Sequence, residues 1–324
     1  MKKNIIVLSF VPLFILTSFL FAYNNNFNNF KSYEPTSSDN ASFTLISTGD
    51  IGLGRFVNYQ IIVNGDPTYP FLNIASYLKS ADFTIINLES PLIKNCPTIV
   101  TGFKFCGLSQ NSHGLIFAGI DGANLANNHT TNYGIEGLLE TEALLKDNNI
   151  IPIGLSNEIK YASINGVKVA FVGFVELNNN WTGLSNATDN NLKILITEAE
   201  DNADVVIVSF HWGPEYTHNP SDNQIRLARI AIDYGADLIL GNHSHWIQPL
   251  EKYKDKYISY AQGNTIFDQD WSQKTKEGVI YKFEYLNGKF EKIDEKYTVI
   301  ENNSQPRFAD EAETERIKSY ITPL

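Results

Sequence analysis

The chain is short of charge and of cysteine. Charged residues occupy 19% of its 324 positions, hydrophobic residues occupy 43%, and there are only two cysteines. This composition excludes a disordered tail, a small disulfide-rich scaffold and a collagen-like rod. It supplies enough apolar side chains for a substantial core, and the length fits one large domain or two ordinary ones.

Basic residues are also scarce. There are 25 Lys and Arg residues against 36 Asp and Glu, a formal net charge of -11. A surface of this sign does not grip phosphates, so nucleic acid is not expected as a partner. Histidine is rarer still, with six residues in the chain. Their positions are therefore more informative than their number.

The N-terminus has the features of a targeting segment. Lys2 and Lys3 precede residues 5–22, an uncharged and largely apolar run of 18 residues. This pattern is typical of a secretory signal or an N-terminal membrane anchor, and the run is just long enough to span a bilayer. The segment Leu20-Phe21-Ala22 lacks the small residue of a clean cleavage site, so an anchor or an inefficiently cleaved signal is favoured. The basic start predicts an extracytoplasmic protein, membrane-anchored or secreted.

The rest of the chain divides into three predicted parts. Residues 23–41 are rich in Asn, Ser and Phe and resemble a flexible tether, residues 42–300 form the main domain, and residues 301–324 form an extension with a helix. Cys96 and Cys106 fit an oxidising compartment and could form one disulfide, although two free buried thiols fit the sequence as well.

Apolar runs with strand character alternate with helix-like stretches, which predicts an α/β fold. Five of the runs end in polar residues of the kinds that bind metals or substrates. Because ligands gather at the carboxyl ends of strands in such folds, we expect these residues to share one edge. They are Asp50, Glu89, Asn128, His129, His211, His243 and His245.

Each of these residues also has an ordinary interpretation. Asp50 and Asn128 could be turn residues, and a lone histidine could be a hydrogen-bonded group at the edge of the core. Turn formation does not explain histidines at three successive strand ends. The whole set is therefore stronger evidence for a binding site than any one of its residues. Imidazole, carboxylate and amide oxygen suit divalent Mn, Zn, Fe or Mg rather than a thiolate-type site.

The ordered motifs resemble the bacterial CapA family, the capsule-synthesis proteins associated with poly-γ-glutamate. That family is similar in fold and metal-site layout to the calcineurin-like metallophosphoesterases, which implies two β-sheets flanked by helices. The resemblance extends from Phe43 to Asp268. It depends on Gly49-Asp50, Asn87-Leu88-Glu89-Ser90-Pro91, Leu125-Ala126-Asn127-Asn128-His129 with Tyr133-Gly134, His211-Trp212-Gly213 with Glu215-Tyr216, Gly235-Ala236-Asp237 with His243-Ser244-His245, and Gly263-Asn264 with Phe267.

The resemblance implies a site for two divalent ions. Asp50 and His245 would hold the first ion, Asn128, His211 and His243 the second, and Glu89 would bridge the two. His129 would be the catalytic residue that acts on the leaving group.

The chain departs from the expected pattern at four positions. Gly52 stands where many members of the wider superfamily have a histidine, and the bridging residue Glu89 is longer than the usual Asp. We therefore expect the first ion to bind loosely, or only with substrate. Asn132 stands where an Asp is expected. Lys104 stands where an Arg is expected, so a compact ammonium group replaces a planar guanidinium group.

These features predict a metal-dependent hydrolase that acts in capsule or poly-γ-glutamate synthesis or export, with an anionic polymer or a phosphoester as substrate. Lys104, Arg55 and Trp212 are candidate substrate-binding residues. Arg55 could equally be a surface residue, and Trp212 could be core packing. The alternative function is a non-catalytic, metal-dependent binding component of a polymer-export machinery, with other capsule-export proteins as partners.

Overall fold

A computed structural model describes residues 41–177 and 181–324. The predicted anchor at 1–22, and the tether up to residue 40, lie outside the described residues. In the part that the structure describes, no helix is both long and apolar enough to cross a membrane.

Two large sheets contain most of the strands. The strands are β1 Phe43–Ile51, β2 Phe83–Leu88, β3 Leu92–Ile93, β4 Gly107–Leu108, β5 Gly122–Asn124, β6 Ile151–Ile153, β7 Lys160–Ile164, β8 Val167–Glu176, β9 Val205–Trp212, β10 Leu238–Asn242, β11 Leu250–Tyr253, β12 Lys256–Ser259, β13 Asn264–Ile266, β14 Glu277–Leu286, β15 Lys289–Glu301 and β16 Gln305–Phe308. The helices are α1 Arg55–Asn64, α2 Ala75–Leu78, α3 Ser112–Ala118, α4 Gly134–Asp147, α5 Asp189–Asn202, α6 Asp222–Asp233 and α7 Glu311–Lys318.

The first sheet has the order β16-β15-β14-β1-β2-β5-β6, and β13 also pairs with β1. β1, β2, β5 and β6 are parallel, whereas β14, β15 and β16 extend the sheet in antiparallel fashion. The predicted C-terminal extension supplies β16 and α7. The four parallel strands therefore have their carboxyl ends at one edge.

The second sheet has the order β11-β12-β10-β9-β8-β7. Its inner strands β8, β9, β10 and β12 are parallel, and an antiparallel strand closes each side. Every residue of β9 is buried, as expected for a strand covered on both faces, whereas the edge strand β7 alternates in exposure.

The two sheets pack face to face, with an apolar core between them. Leu45 and Ile85 of the first sheet lie in the same buried cluster as Phe171, Ile207 and Leu240 of the second. A separate cluster packs α1 to α4 on the outer face of the first sheet, and another packs α5 and α6 on the outer face of the second. This helix–sheet–sheet–helix sandwich confirms the predicted fold class.

Three of the helices have a side-chain cap at their N-terminus. Thr188 accepts a hydrogen bond from the backbone N–H of Asn191 at the start of α5, and Ser221 and Gln224 form a capping box at the start of α6. Asp310 and Glu313 form the same motif on α7. These caps satisfy backbone donors that have no partner within the helix, and they fix where each helix begins.

Cys96 and Cys106 form a disulfide, which decides between the two states that the sequence left open. Both residues are buried beside Ile93. The bond closes the segment from 96 to 106, which includes Phe103 and Phe105.

Removing this bond should destabilise the protein. The Cys96→Ser/Cys106→Ser variant should lose about 2–4 kcal/mol of unfolding free energy, because the closed loop restricts the unfolded chain. Guanidinium unfolding of the variant, and of the wild-type protein with and without reductant, measures the loss. Identical midpoints in all three samples would show that the bond contributes nothing.

Candidate functional site

The predicted site residues converge at one edge of the sandwich. Asp50 lies near the end of β1, and Glu89 follows β2 directly. The loop after β5 carries Asn128 and His129. His211 lies in β9 of the second sheet, and the loop after β10 carries His243 and His245. The parallel strands of both sheets bring their carboxyl ends to this edge, so residues far apart in sequence meet.

The side chains form two groups that share one residue. Ligand atoms of Glu89, His211 and His243 lie within 4.8 Å of one another, and so do those of Asp50, Glu89 and His245. Asn128 adjoins the first group, with its Oδ1 2.8 Å from His211 Nε2. This is the grouping that the resemblance implied, with Glu89 between the two sets.

Glu89 is the most constrained residue of the site. It is fully buried, and neither carboxylate oxygen has a hydrogen-bond partner. Burial above all, followed by the charge of Asp50, raises the pKa of Glu89 well above its usual range. Its Oε1 lies 3.8 Å from Nε2 of His129 and of His245, and 3.9 Å from Nε2 of His211. A buried carboxylate without a donor is costly unless a cation compensates it.

The histidines of the second sheet are held in the neutral form. Burial is the main cause that lowers the pKa of His211 and of His243 well below the usual value, and neighbouring histidines add to it. His243 Nδ1 lies 2.9 Å from His211 Nε2, which in turn faces Asn128. Neutral imidazole is the form that binds metal, so the chemistry of these donors fits a divalent cation.

His245 is oriented by Asn264. The Asn264 side-chain amide donates to the backbone oxygen of Thr275 at 2.8 Å and to Gln269 at 3.2 Å. This fixes its Oδ1 as the acceptor that faces His245 Nδ1 at 2.9 Å. His245 therefore donates from Nδ1, and Nε2 is the ring nitrogen that faces Glu89, the usual arrangement around a metal-binding histidine.

The loop after β10 has an unusual backbone. His243 has φ of 99° and His245 has φ of 54°, both in the left-handed region that favours glycine. Both side chains are nevertheless buried. Such conformations cost about 1–3 kcal/mol each and persist where the surroundings demand them, commonly at functional sites.

His129 lies beside this cluster, with its ring 4.3 Å from that of Phe105. Burial is the largest cause that lowers the pKa of His129 to about 3. Asn132 Nδ2 lies 3.0 Å from His129 Nδ1 and also donates to the backbone oxygens of Phe103 and Phe105. Nδ1 is thus an acceptor, and the proton of the neutral ring lies on Nε2, the atom that faces Glu89.

Gly52 has no room for a side chain. A Cβ at this position would lie 2.8 Å from the ring of Phe267. Phe267 also lies 5.0 Å from the His245 ring, between ring centroids. An aromatic ring therefore fills the space next to the position where the wider superfamily has a histidine, and the Asp50 group has one nitrogen ligand fewer than that pattern.

The three candidate substrate-binding residues differ in their surroundings. Lys104 is exposed, with Nζ 4.9 Å from the centre of the Tyr133 ring. Arg55 is buried and forms an ion pair with Asp268, so it is not an ordinary surface arginine. Its role and that of Lys104 stay predictions.

The prediction for Trp212 is wrong. Its side chain has no exposed surface, stacks 4.1 Å from the Phe210 ring, and donates from Nε1 to the backbone oxygen of Tyr260. Successive side chains of a strand point to opposite faces, so His211 reaches the site while Trp212 packs under the helices. A ring in this position cannot contact a substrate.

Three other residues contact the cluster; Asn87 and Asn264 had no predicted role, and Tyr216 was expected only to flank the site. Asn87 donates to Asp50 Oδ1 at 2.8 Å, and Asn264 orients His245. The Tyr216 ring lies 6.0 Å from that of His245, and burial together with Glu215 raises its pKa. All three belong to the quoted motifs, so their position in those motifs was the available signal.

The contact between Asn264 and His245 predicts a graded effect on metal binding. Asn264→Ala removes the acceptor and should weaken the affinity for Mn²⁺ or Zn²⁺ about 10- to 100-fold. Asn264→Asp loses the same amide donors but keeps an acceptor for His245, so it should lose less. Competition with a chelating dye measures both, and Asn223→Ala, at an asparagine that bonds Glu176, is the control. Equal affinities of the wild type and the Asn264→Ala variant for the metal would contradict the role of His245 as a ligand that Asn264 orients.

The fold is shared with a solved enzyme structure. A crystal structure described as that of a novel phosphatase from Mycoplasma pneumoniae aligns with a TM-score of 0.54 and 16% identity, covering 85% of this chain and 96% of that one. At this identity the likeness shows the fold alone. It agrees with the metallophosphoesterase-type architecture that the motifs implied.

Sequence relatives give the family. The chain is 32% identical over 266 residues to the capsule biosynthesis protein CapA of Bacillus anthracis, covering 76% of this chain and 64% of that protein's length. It is 29% identical over 298 residues to the PGA biosynthesis protein CapA of Bacillus subtilis, covering 87% of this chain and 77% of the relative. A family model described as "Bacterial capsule synthesis protein PGA_cap" matches residues 44–269. The protein therefore belongs to the bacterial capsule synthesis (CapA) family.

Proposed function

We propose that the protein is a metal-dependent hydrolase that acts in capsule or poly-γ-glutamate synthesis or export. The observation that carries this proposal is the carboxylate of Glu89, buried without a hydrogen-bond donor between two sets of ligand atoms. A structural role would leave such a group paired with an arginine or with backbone N–H groups. A role in cation binding explains why it is not.

The ligand atoms suit divalent cations, and they fall into two groups, one for each ion. Asp50, Glu89 and His245 would hold one ion, and Glu89, Asn128, His211 and His243 the other. Bound there, the ions would supply Lewis-acid polarisation and activation of water. The hydrogen bond from Asn87 to Asp50 and the one between Asn264 and His245 keep the ligands oriented.

His129 is placed to donate a hydrogen bond. Because Asn132 occupies Nδ1, the neutral ring presents its N–H on Nε2 toward the cluster. That N–H would donate a hydrogen bond to the departing oxygen or nitrogen of the substrate and stabilise the charge that develops there. Phe105 stacks against the ring and excludes water from one of its faces.

The surroundings support an extracytoplasmic role. The disulfide fits an oxidising compartment, and the N-terminal sequence fits a membrane anchor or an exported chain. The family acts in capsule synthesis, where the polymer is anionic. An acidic protein would meet an anionic polymer or a phosphoester through bound cations rather than through a basic surface.

The test is an activity assay on the full-length protein in detergent. With Mn²⁺, Zn²⁺ or Mg²⁺ added, we expect turnover of a phosphodiester, phosphomonoester or γ-glutamyl substrate. Because His129 would stabilise the departing group through this hydrogen bond, His129→Ala should lower the rate about 10²–10³-fold, and Asn128→Ala should lower metal affinity as well. His113→Ala, at an exposed histidine, is the matched control and should retain full activity.

Two results would contradict the proposal. Absence of turnover with all three substrate classes, together with metal-dependent binding of poly-γ-glutamate, would favour the non-catalytic binding component. A protein that takes up no metal under saturating conditions would exclude both functions.

A further inference from the structure

A pocket of about 320 Å³ lies next to the metal-facing cluster. Its lining includes the rings of Phe103 and Trp271 together with Arg55, Asp268, Asp270 and Asn303. The volume is within the range of pockets that bind small molecules. No residue of the pocket belongs to the predicted metal ligands.

Two aromatic bridges connect this pocket to the cluster. The Phe105 ring lies 4.4 Å from the Arg55 guanidinium on one side and 4.3 Å from the His129 ring on the other. The Tyr216 ring lies 5.9 Å from Trp271 and 6.0 Å from His245. The pocket is therefore one ring away from the site on two sides, close enough for one substrate to reach both.

Two large rings are exposed at the rim of the pocket. Phe103 is 86% exposed and Trp271 is 59% exposed. Exposed aromatic rings at the mouth of a cavity leave water when a ligand enters, so they contribute binding free energy. The Phe103 segment is held by the disulfide and by the hydrogen bond from Arg55 to the Gly102 oxygen at 3.0 Å. The backbone that carries Phe103 is thus held in place by contacts within the protein.

The polar groups of the pocket offer both acceptors and donors. Asp268 is occupied by Arg55 and by the Phe56 backbone N–H. Asp270 accepts from Asn303 through Oδ2, which leaves Oδ1 outside that bond. Arg55 uses three of its five N–H groups within the protein, one to Gly102 and two to Asp268.

This mixture suits a ligand that both donates and accepts hydrogen bonds. An anion would face the carboxylates of Asp268 and Asp270, which outnumber the single cation. An ammonium group, which can only donate, could bond Asp270 but would leave the two remaining Arg55 N–H groups without an acceptor. A hydroxyl group both donates and accepts, so it can bond Asp270 and Arg55 alike.

We propose that this pocket is a subsite for a neutral saccharide ring. The C–H face of a pyranose would pack on Trp271 and Phe103, because aromatic faces carry partial negative charge. Its hydroxyl groups would bond Asp270, Asn303 and Arg55. If the protein hydrolyses its substrate as proposed above, that substrate carries a glycosyl group next to the bond that is hydrolysed.

Binding can be tested without turnover. We would titrate the full-length metal-loaded protein with chitotriose and follow tryptophan fluorescence, in a zwitterionic detergent that has no sugar headgroup. Chitotriose should change the fluorescence of the wild type, and Phe103→Ala, which keeps the fluorophore, should weaken binding about tenfold or more. By calorimetry, Trp271→Ala should show a similar loss and Trp271→Phe a smaller one. Tyr161→Ala, at an exposed aromatic residue of β7, should bind like the wild type.

The outcomes separate this proposal from the proposed function. Chitotriose binding that depends on Trp271 supports the subsite even where no substrate is hydrolysed. Absence of binding, or equal binding by the Trp271→Ala variant, overturns it, even in an active hydrolase. Trp271-dependent binding of tri-γ-glutamate or of a primary amine in place of chitotriose would also overturn it. Far-ultraviolet circular dichroism confirms that each variant is folded.

Discussion

The buried carboxylate of Glu89 is the constraint on which the site depends. Removing a carboxylate from water without a donor costs several kcal/mol, and burial raises its pKa. This carboxylate lies at the edge where both sheets present their strand ends, among the other predicted ligands. His211 and His243, whose pKa values burial lowers, are neutral and can offer a nitrogen lone pair to a cation beside it.

The sandwich provides this edge through its topology. β1, β2 and β5 of the first sheet are parallel, as are β9 and β10 of the second, so both sheets deliver loops to the same side. The core between the sheets is apolar and holds their relative position. Asp50 and Glu89 come from one sheet and the three metal-facing histidines from the other, so the cluster exists only when both sheets pack.

Much of this arrangement could be predicted from the sequence. Apolar runs that end in Asp, Glu, Asn or His identify strand ends, and the order of the motifs identifies the family. The starts of α5 and α6 can be read from the sequence because Thr188 and Ser221 are good capping residues. α1 is harder to predict, because it has no side-chain cap and is rich in β-branched residues and Asn.

Some features of the site could not be predicted because they depend on how the folded chain orients its side chains. Trp212 was assigned to the substrate because it adjoins His211 in sequence, yet neighbours in a strand face opposite ways. β8 contributes no residue to the predicted site, although it is an inner strand of the second sheet between β9 and β7. The roles of Asn264 and Phe267 depend on contacts that only the folded chain creates. Neighbours in sequence share the site where they lie on a loop, but neighbours within a strand point to opposite faces of the sheet.

The disulfide separates two parts of this edge that differ in their sensitivity to reduction. Gly102, Phe103 and Phe105 all lie between the two cysteines, so the bond, which forms only under oxidising conditions, adds a covalent restraint to the hydrogen bonds from Arg55 and Asn132 that hold the segment. All six predicted metal ligands lie outside this ring, on strands of the two sheets or on loops that follow them. Reduction would therefore act on the segment beside the cluster and leave the covalent frame of the predicted ligands unchanged.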